Sequence, residues 1–393
     1  LRDGQGRFLE ATPRDMHKRL AREFARIESK YPNPLSEEEI FGYLDEFRYI
    51  IPQGSPMAGI GNPFQVMSIS NCVHGESLVY TKEHGLVKMR DIVPGLHVLT
   101  HKGRFRKVLR HWSNGKKETY TIARSFSGKQ VSVRTEQEMG RFCAVTPDHR
   151  VYTDSGEWQT VESLIGKHNK ALSTPSIAAP NTQGADLSVI PMGLGRTVLM
   201  DETLAWIFGL YFAEGAIKHQ DALSPSTYFT LAKEEVELAE RISAWSESNL
   251  GHKAWIQTWE GLNFIQVNVF DKFFSRFILD NFGHGFNKKR IPEWVFALPE
   301  TVRAAFLDGF MTGDATNYEG LDVEYNVFSI ANPTLAYELG LLARSLGKKV
   351  RFNFQATGKL IKHRTVTVSM STASEVIKLV KSPVMAEVFD MEV

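Results

Sequence analysis

Apolar residues recur at helical spacing through the first fifty residues. Thr12-Pro13 places a capping residue before a proline, which is a common start of a helix. The apolar positions that follow share one helix face: Met16, Leu20, Phe24 and Ile27. Ser36 and Glu39 form a capping-box pattern before a second apolar face. The sequence therefore predicts helices over residues 1–51, followed by a shaped loop rich in glycine and proline.

Short strand-like segments replace the helical pattern from Cys72 onward. The predicted strands are Ser77–Tyr80, Val98–Thr100, Lys107–Trp112, Thr119–Ala123, Gln130–Val133 and Val151–Thr153. Short strands separated by turns at this spacing are typical of an all-β unit. Residues 173–200 contain Pro175, Pro180 and Pro191 among small polar residues, and we predict a linker there.

Beyond residue 200 the pattern becomes α+β and contains an internal repeat. Long helical patterns cover Lys233–Asn249 and Pro333–Leu346. Residues 207–215 read Ile-Phe-Gly-Leu-Tyr-Phe-Ala-Glu-Gly, and residues 307–315 read Leu-Asp-Gly-Phe-Met-Thr-Gly-Asp-Ala. Each copy has two small residues four apart and then an acid. Small residues at this spacing share a helix face and let two backbones approach closely. We therefore expect two such helices to pack together and to bring Glu214 near Asp314.

Composition narrows the class of protein. A length of 393 residues is enough for two or three domains, and 42% hydrophobic with 23% charged residues is ordinary for a soluble protein. The net charge of +1 carries no global signature of polyanion binding, so any nucleic-acid surface must be local. No apolar run is long enough to cross a bilayer, and two cysteines, Cys72 and Cys143, suit a reducing compartment. We expect a cytoplasmic protein with no membrane association.

Two carboxylates at the ends of paired helices could bind a divalent metal through oxygen. A metal there could activate water and stabilise the attacking and leaving oxygens of a phosphodiester. One such helix alone would more often end in a solvated acid, but two in matched context favour a functional pair. The repeats resemble the paired motifs of LAGLIDADG homing endonucleases, although Ala315 replaces the final glycine. This resemblance implies that Glu214 and Asp314 bind Mg²⁺.

Basic residues near the second repeat extend this resemblance. Residues 288–292, Lys-Lys-Arg-Ile-Pro, resemble the basic segment before the family's second motif, which implies that Lys289 lies near the active-site water. Residues 340–364 contain no acid. The contacts expected there with double-stranded DNA are Lys348, Lys349, Arg351, Lys359, Lys362 and Arg364. A solvated edge strand protected by its charges would show the same pattern. We expect the endonuclease to act as a monomer.

A second constellation lies in the all-β unit. Residues 72–81, from Cys-Val-His-Gly-Glu, resemble the N-terminal splicing block of inteins, and residues 144–151 resemble their Thr-x-x-His block. Cys72 could attack the carbonyl of Asn71 and convert the peptide bond into a thioester. The departing nitrogen needs a proton, which His149 could supply while Thr146 holds the geometry. A buried cysteine and a histidine at a strand start are each common alone, but the two blocks together favour splicing. Splicing is expected to need no cofactor.

The last residues resemble the beginning of the C-terminal block of inteins. The resemblance gives Asp390 a role in assisting the first acyl shift. In the family a further strand, a His-Asn pair and a Cys, Ser or Thr follow, and the sequence ends before them. We therefore expect the first step at most, from either a truncated chain or the longer partner of a split intein with a short C-terminal partner.

The N-terminal flank carries a third resemblance. Residues 51–57, Ile-Pro-Gln-Gly-Ser-Pro-Met, through Ser68-Ile-Ser-Asn71 resemble the large chain of ribonucleotide reductase leading into its first redox-active cysteine. Splicing after Asn71 would rejoin this flank to a downstream cysteine. The radical-bearing cysteine and the substrate acids of a reductase are absent from the sequence, so reductase activity is not expected here.

Together these features predict a multidomain chain with three kinds of region. The helical N-terminal flank covers 1–71, and an all-β Hint-type splicing domain with its linker covers 72–190. An α+β two-repeat LAGLIDADG endonuclease covers 191–381, and the C-terminal splicing segment begins at 382. Two alternatives remain open: a reductase fragment with an inactive insert, and a DNA-binding module without cleavage.

Overall fold

The chain forms a mixed α/β, multidomain structure. The computed structural model describes residues 10–51, 60–61, 72–126, 144–152, 158–164, 187–218, 223–317, 325–355, 365–371 and 375–393. The chain divides into two compact units, Leu1–Asn71 and Cys72–Val393. Among the described residues, no helix is long and apolar enough to span a membrane.

The helices lie mainly in the first unit and in the second half of the chain. The α-helices are α1 (Pro13–Glu28), α2 (Glu37–Leu44), α3 (Val161–Leu164), α4 (Glu202–Glu214), α5 (Val236–Leu250), α6 (Lys272–Phe282), α7 (Glu300–Asp314) and α8 (Pro333–Ser345). Short 3-10 helices cover Asp45–Phe47, Met89–Asp91 and Glu293–Ala297.

The described strands all lie in the second unit. Those before α4 are β1 (Val73–His74), β2 (Leu78–Thr81), β3 (Gly85–Lys88), β4 (His97–Leu99), β5 (Phe105–Lys107), β6 (Arg110–Phe126), β7 (Ala144–Val145), β8 (Arg150–Tyr152), β9 (Trp158–Thr160), β10 (Val189–Pro191) and β11 (Thr197–Leu199). Those after α4 are β12 (Gly215–Lys218), β13 (Ser226–Ala232), β14 (Trp255–Thr258), β15 (Phe264–Val269), β16 (Thr316–Asn317), β17 (Tyr325–Ile330), β18 (Lys349–Gln355), β19 (Thr365–Ser371) and β20 (Glu375–Glu392).

The first unit begins its helices where the sequence predicts. The Thr12 side chain accepts a hydrogen bond from the Asp15 backbone N–H, and the Asp15 carboxylate accepts one from the Thr12 N–H. Ser36 and Glu39 form the same reciprocal capping box at the start of α2. Both predicted helix starts are confirmed. The helices pack through a small apolar core of Leu20, Ala21, Ile40 and Leu44.

A closed barrel links the two ends of the second unit. Its strand order is β1-β20-β6-β7, so the last strand returns beside the first. Val73 lies opposite both Phe389 and Val145. Strand β20 pairs with β6 from Glu375 onward, which is earlier than the predicted boundary at residue 382. The early pairing residues, 375–381, therefore belong with the barrel and not with the preceding region.

The predicted linker at 173–200 is wrong over its described part. Strands β10 and β11 form an antiparallel hairpin across residues 189–199. Alternation explains it: Ile190 and Val198 are buried while their neighbours in each strand are exposed. The turn contains Gly193 and Gly195 at positive φ. The hairpin packs into the main hydrophobic core, and it straddles the predicted domain boundary at 190/191.

The internal repeat extends to whole sheets. Helix α4 leads into a four-stranded sheet of order β12-β13-β15-β14, and α7 leads into one of order β16-β17-β19-β18. In both sheets, the strands taken in chain order occupy the positions first, second, fourth and third. Helices α4 and α7 pack against each other within the largest apolar core. This arrangement is the α+β architecture expected from the repeat.

Glycines allow the two repeat helices to touch. A Cβ atom at Gly209 would overlap the backbone carbonyl of Phe306, and one at Gly309 would overlap the carbonyl of Trp206. The contact is reciprocal, as expected for two copies of one motif. A Cβ at Gly313 would collide with that of Ala213. The predicted close packing at these small residues is therefore present.

Candidate functional site

The two repeat acids end their helices side by side. Glu214 is the last residue of α4, and Asp314 is the last residue of α7. A Cβ at Gly313 would lie 3.3 Å from the Glu214 Oε1 atom, so the Glu214 carboxylate reaches the turn that carries Asp314. Glu214 is half-buried, whereas Asp314 is open to solvent. The packing of the glycines thus delivers both acids to one accessible place.

The pKa values of both carboxylates are raised above their usual range. Burial raises the pKa of Glu214 to about 7, with further increases from the negative charges of Asp314 and Glu235, while Lys289 opposes them. Partial burial also raises the pKa of Asp314, and the positive charge of Lys289 opposes this rise. Two acids held close in this way favour either a shared proton or a cation.

The donor set suits a hard divalent cation. Mg²⁺ is commonly bound in proteins by one or two carboxylates, with water completing its octahedron. Among the described residues, no group of three or more His, Cys, Asp or Glu side chains could hold a metal. The pair Glu214 and Asp314 therefore fits an open, water-rich magnesium site better than a closed zinc site.

Lys289 lies next to the acids and caps helix α4. Its Nζ atom donates hydrogen bonds to the carbonyl oxygens of Tyr211, Phe212 and Gly215 at 2.6, 3.2 and 2.8 Å. Burial lowers its pKa to about 8, while Asp314 and Glu214 oppose this change. An ammonium group has three hydrogens, and three carbonyls take them. These bonds show that Lys289 holds the end of the helix that carries Glu214, and its expected place near the active-site water stays a prediction.

The predicted DNA contacts fall into two groups. Val350 is buried, so its neighbours Lys349 and Arg351 project from the opposite face of β18, which is an edge strand of its sheet. Lys348 is half-buried just before this strand. The remaining three predicted contacts lie outside the described residues: Lys359, Lys362 and Arg364.

The first sheet presents a basic residue that the sequence did not single out. Lys218, on β12, donates hydrogen bonds to Gln266 at 2.6 Å and to Asn268 at 3.1 Å. Its Nζ atom lies 4.7 Å from the centre of the Tyr228 ring. Gln266 and Asn268 occupy alternating positions of β15, so their amide groups share one face of the sheet, and this polar pair was the available signal.

Among the predicted splicing residues, Thr146 contacts Cys72, which is fully buried. The Cys72 carbonyl oxygen accepts hydrogen bonds from the Thr146 backbone N–H at 3.1 Å and from its hydroxyl at 3.4 Å. His149 belongs to the same turn, because its N–H donates to the Thr146 carbonyl at 3.0 Å. Asn71, on the acyl side of the predicted scissile bond, and Cys143 lie outside the described residues.

Asp390 reaches this region from the returning strand β20. Burial raises its pKa; Lys117 and His111 oppose that rise, and Asp148 adds to it. Asp148 is in the Thr146–His149 turn, and its negative charge acts on Asp390. Phe389, the residue before Asp390, lies opposite Val73, the residue after Cys72. The end of the chain and the Cys72 segment are therefore neighbours despite their separation in sequence.

The sulfur of Cys72 has two polar partners that sequence reasoning missed. The Asn114 side-chain amide donates to Sγ at 3.2 Å, and the Lys117 ammonium donates to it at 3.5 Å. Both residues lie on β6. No motif marks them, since they lie between two predicted strands, Lys107–Trp112 and Thr119–Ala123.

Several proteins of DNA metabolism are similar in sequence to parts of the chain. The ATP-dependent DNA helicase Hel308 of Thermococcus kodakarensis is 23% identical over 316 residues, which are 70% of this chain and 27% of the helicase. The replication factor C small subunit of Methanocaldococcus jannaschii is 31% identical over 126 residues, 30% of this chain and 7% of that protein. The chain thus spans about a quarter or less of the length of these curated relatives. No family model matches the chain.

Solved structures that match parts of the chain include an endonuclease and an intein. I-DmoI in complex with DNA and Mn is 15% identical, covering 44% of this chain and 90% of that chain with a TM-score of 0.33. The gp41-1 intein is 20% identical, covering 26% and 65% with a TM-score of 0.19. The N-terminal LAGLIDADG domain of WhiA is 12% identical, covering 45% and 78% with a TM-score of 0.27.

Proposed function

We propose that the chain is a self-splicing element that carries a metal-dependent endonuclease for double-stranded DNA. The observation that carries the endonuclease half is the pair Glu214 and Asp314 at the abutting ends of two repeat helices. The splicing half is supported by the two hydrogen bonds from Thr146 to the carbonyl oxygen of buried Cys72, and by the pairing of β1 with β20, the strand that carries Asp390. We further propose a ribonucleotide reductase as the interrupted host, on the resemblance of residues 51–71, and a cytoplasmic location.

The residues around the acid pair have separate tasks in this proposal. Glu214 and Asp314 bind Mg²⁺, which when bound would supply an activated water and charge stabilisation at the phosphodiester. Lys289 fixes the last turn of α4 and so the position of Glu214. Lys349 and Arg351, at the β18 positions on either side of buried Val350, contact phosphates, which supply affinity without directing cleavage. Because one chain provides both acids, a monomer suffices.

The splicing half begins with an acyl shift at Asn71–Cys72. Cys72 Sγ attacks the carbonyl carbon of Asn71, a carbon–sulfur bond forms, and the bond to the Cys72 nitrogen breaks. The thiol proton is replaced by the acyl group, and the nitrogen gains a proton to become an amine. Thr146 holds the Cys72 backbone by donating hydrogen bonds to the Cys72 carbonyl oxygen. His149 lies in the same turn as Thr146 and assists proton transfer to the Cys72 nitrogen.

The two alternative functions fit the geometry less well. A DNA-binding module without cleavage has no use for two mutually repelling carboxylates at a solvent-accessible position. An inactive insert would be free to lose the matched glycines and acids of the two repeats, and both sets are present. In this proposal, a short C-terminal partner would supply the residues that the later splicing steps need.

Cleavage of a plasmid that carries the uninterrupted host gene tests the endonuclease half. Asp314→Asn should abolish linearisation in Mg²⁺ and leave DNA affinity nearly unchanged, because phosphate contacts supply most of the affinity. Asp308→Asn is the matched control, since Asp308 is exposed on the same helix. This variant should cleave like the wild type. Cleavage that persists in Asp314→Asn would refute the assignment of the acid pair.

A further inference from the structure

We infer that Asn114 and Lys117 are catalytic residues that stabilise negative charge on Cys72 Sγ. This inference rests on the proposed acyl shift at Asn71–Cys72. It assigns a task to two side chains that lie outside the splicing blocks recognised in the sequence. Their contacts are with the reacting atom itself, at 3.2 Å for Asn114 Nδ2 and 3.5 Å for Lys117 Nζ.

The direction of the two hydrogen bonds defines their effect. A side-chain amide nitrogen and an ammonium group are donors and cannot accept a hydrogen bond from a thiol. Both contacts therefore require the sulfur to act as acceptor. A neutral thiol is a weak acceptor, whereas a thiolate makes charge-assisted hydrogen bonds that are much stronger. Both partners consequently favour the nucleophilic form of Cys72 over the resting thiol.

A β-bulge explains how two residues three apart reach the same sulfur. In a regular strand, residues i and i+3 project to opposite faces. The pairing of β6 with β20 shifts register here, because Ser113 lies opposite Phe389 while Lys116 lies opposite Glu387. Two residues of β6 thus face one of β20, and Gly115 supplies the positive φ of 73°. The extra residue turns Asn114 and Lys117 toward one side.

Burial strengthens the influence of these contacts. Cys72 is 0% exposed, so bulk water does not solvate its sulfur in this arrangement. A buried cysteine usually behaves as a small apolar side chain, and polar donors at both 3.2 and 3.5 Å are unusual for that role. Charge that develops on Sγ during attack must be stabilised by protein groups, and Asn114 and Lys117 are placed to do so.

Other charged groups surround Lys117. Asp390, on β20, interacts electrostatically with Lys117 and His111 and is repelled by Asp148. Lys117 therefore contacts the sulfur and also interacts electrostatically with a half-buried acid. Lys117 and Asn114 keep their protons throughout the step, and no external reactant is needed. The acyl group replaces hydrogen on Sγ, and the Cys72 nitrogen gains the proton.

The test follows release of residues 1–71 from the full chain by excess thiol, which exchanges with the thioester. Intact-mass spectrometry would give the rate from pH 6 to pH 9. Lys117→Met should slow release about tenfold or more at pH 7 and move the half-maximal pH upward, because the stabilising cation is lost. Lys117→Arg should restore much of the rate. Lys116→Met is the matched control, because Lys116 is exposed and adjacent, and should match the wild type.

Two results would overturn the inference. One is a wild-type rate and pH profile in Lys117→Met; the other is an equal slowing at every pH, which indicates a structural role. If Lys117→Met does not fold, Asn114→Ala is the second variant to test. It should also slow the release of residues 1–71. Failure of the proposed function looks different: the wild type releases no fragment ending at Asn71, or Cys72→Ala still releases it.

Discussion

Lys289 shows how one buried charge can organise the acidic centre. Its three hydrogen bonds satisfy carbonyls at the C-terminal end of α4, where a helix leaves such groups without partners. A positive charge there also interacts favourably with the helix dipole. The same charge partly offsets the repulsion between Glu214 and Asp314. One side chain therefore contributes both to stability and to the placement of Glu214.

Replacing Lys289 should cost stability. Lys289→Met should lower the free energy of unfolding by about 1 to 3 kcal/mol, because buried carbonyls lose their donor. Lys289→Arg should restore little, since a planar guanidinium does not match three carbonyls that converge on a point charge. Urea denaturation measures both, and Lys288→Met, at an exposed neighbouring position, is the control. A fully stable Lys289→Met variant would contradict the capping role.

The raised pKa of Glu214 should make the stability of the folded chain depend on pH. Its pKa is about 7 in the folded chain, above the 4.5 of the free side chain. The folded state therefore binds a proton more strongly than the unfolded state. The associated stability is present below pH 4.5 and is lost as pH rises toward 7.

Bound metal should relieve this loss above neutral pH. Mg²⁺ should raise the melting temperature at pH 8 and much less at pH 5.5, where Glu214 is protonated. Glu214→Gln should show little metal effect at either pH. Thermal denaturation with and without Mg²⁺ measures the difference. An equal shift at both values of pH would argue against metal binding by Glu214.

Single residues were predictable from sequence when a motif marked them. Glu214 and Asp314 stood out because they occur twice in the same context, and Cys72 because it begins a recognisable block. Lys117 and Asn114 carry no such mark. They reach Cys72 only through a bulge, which depends on the register of β6 against a strand more than two hundred residues later. Local pattern does not contain that register.

At the scale of elements, the contact between α4 and α7 depends on glycine. Gly209→Ala should place a methyl group against the Phe306 carbonyl and force the helices apart. We expect a loss of about 1 to 3 kcal/mol or more, as for overpacked cores, together with loss of DNA cleavage. Gly42→Ala is the control, because Gly42 lies in α2 with nothing near its Cβ position. That change should be neutral or stabilising, and thermal denaturation with a plasmid assay tests both variants.

The elements also show where sequence patterns were sufficient. Helix starts with capping residues and the paired repeat helices were predicted, because their signals are local or repeated. The hairpin at residues 189–199 was missed, because three prolines and small polar residues outweighed a short alternation of only three residues per strand. The burial of Ile190 and Val198 comes from tertiary packing on the main core, which local composition does not encode.

At the scale of the second unit, a buried polar network joins the strands near Cys72 to the repeat region. The Glu338 carboxylate on α8 accepts hydrogen bonds from Tyr80 of β2 at 2.9 Å and from Arg290 at 2.5 Å. It also accepts one from the Ile291 N–H at 2.7 Å. Glu338 is fully buried, and burial raises its pKa while Arg290 opposes the change. The network fixes how the β2–β5 sheet sits on α8.

Breaking this network from the sheet side should be measurable. Tyr80→Phe removes one of the donors to Glu338 and should lower the free energy of unfolding by about 1 to 2 kcal/mol. Tyr31→Phe, at an exposed position in the first unit, should change nothing. Urea denaturation of the full chain separates the outcomes. Equal stability of Tyr80→Phe and the wild type would show that the hydrogen bond contributes little to holding the sheet on α8.

If the two repeat helices bring Glu214 and Asp314 together to hold a catalytic metal, crystals of the chain grown with Mn²⁺ should show it by anomalous diffraction. We expect an anomalous peak between the two carboxylates in the wild type and its loss in Asp314→Asn. Carboxylates too far apart to share an ion, or a wild-type site without a peak, would contradict it.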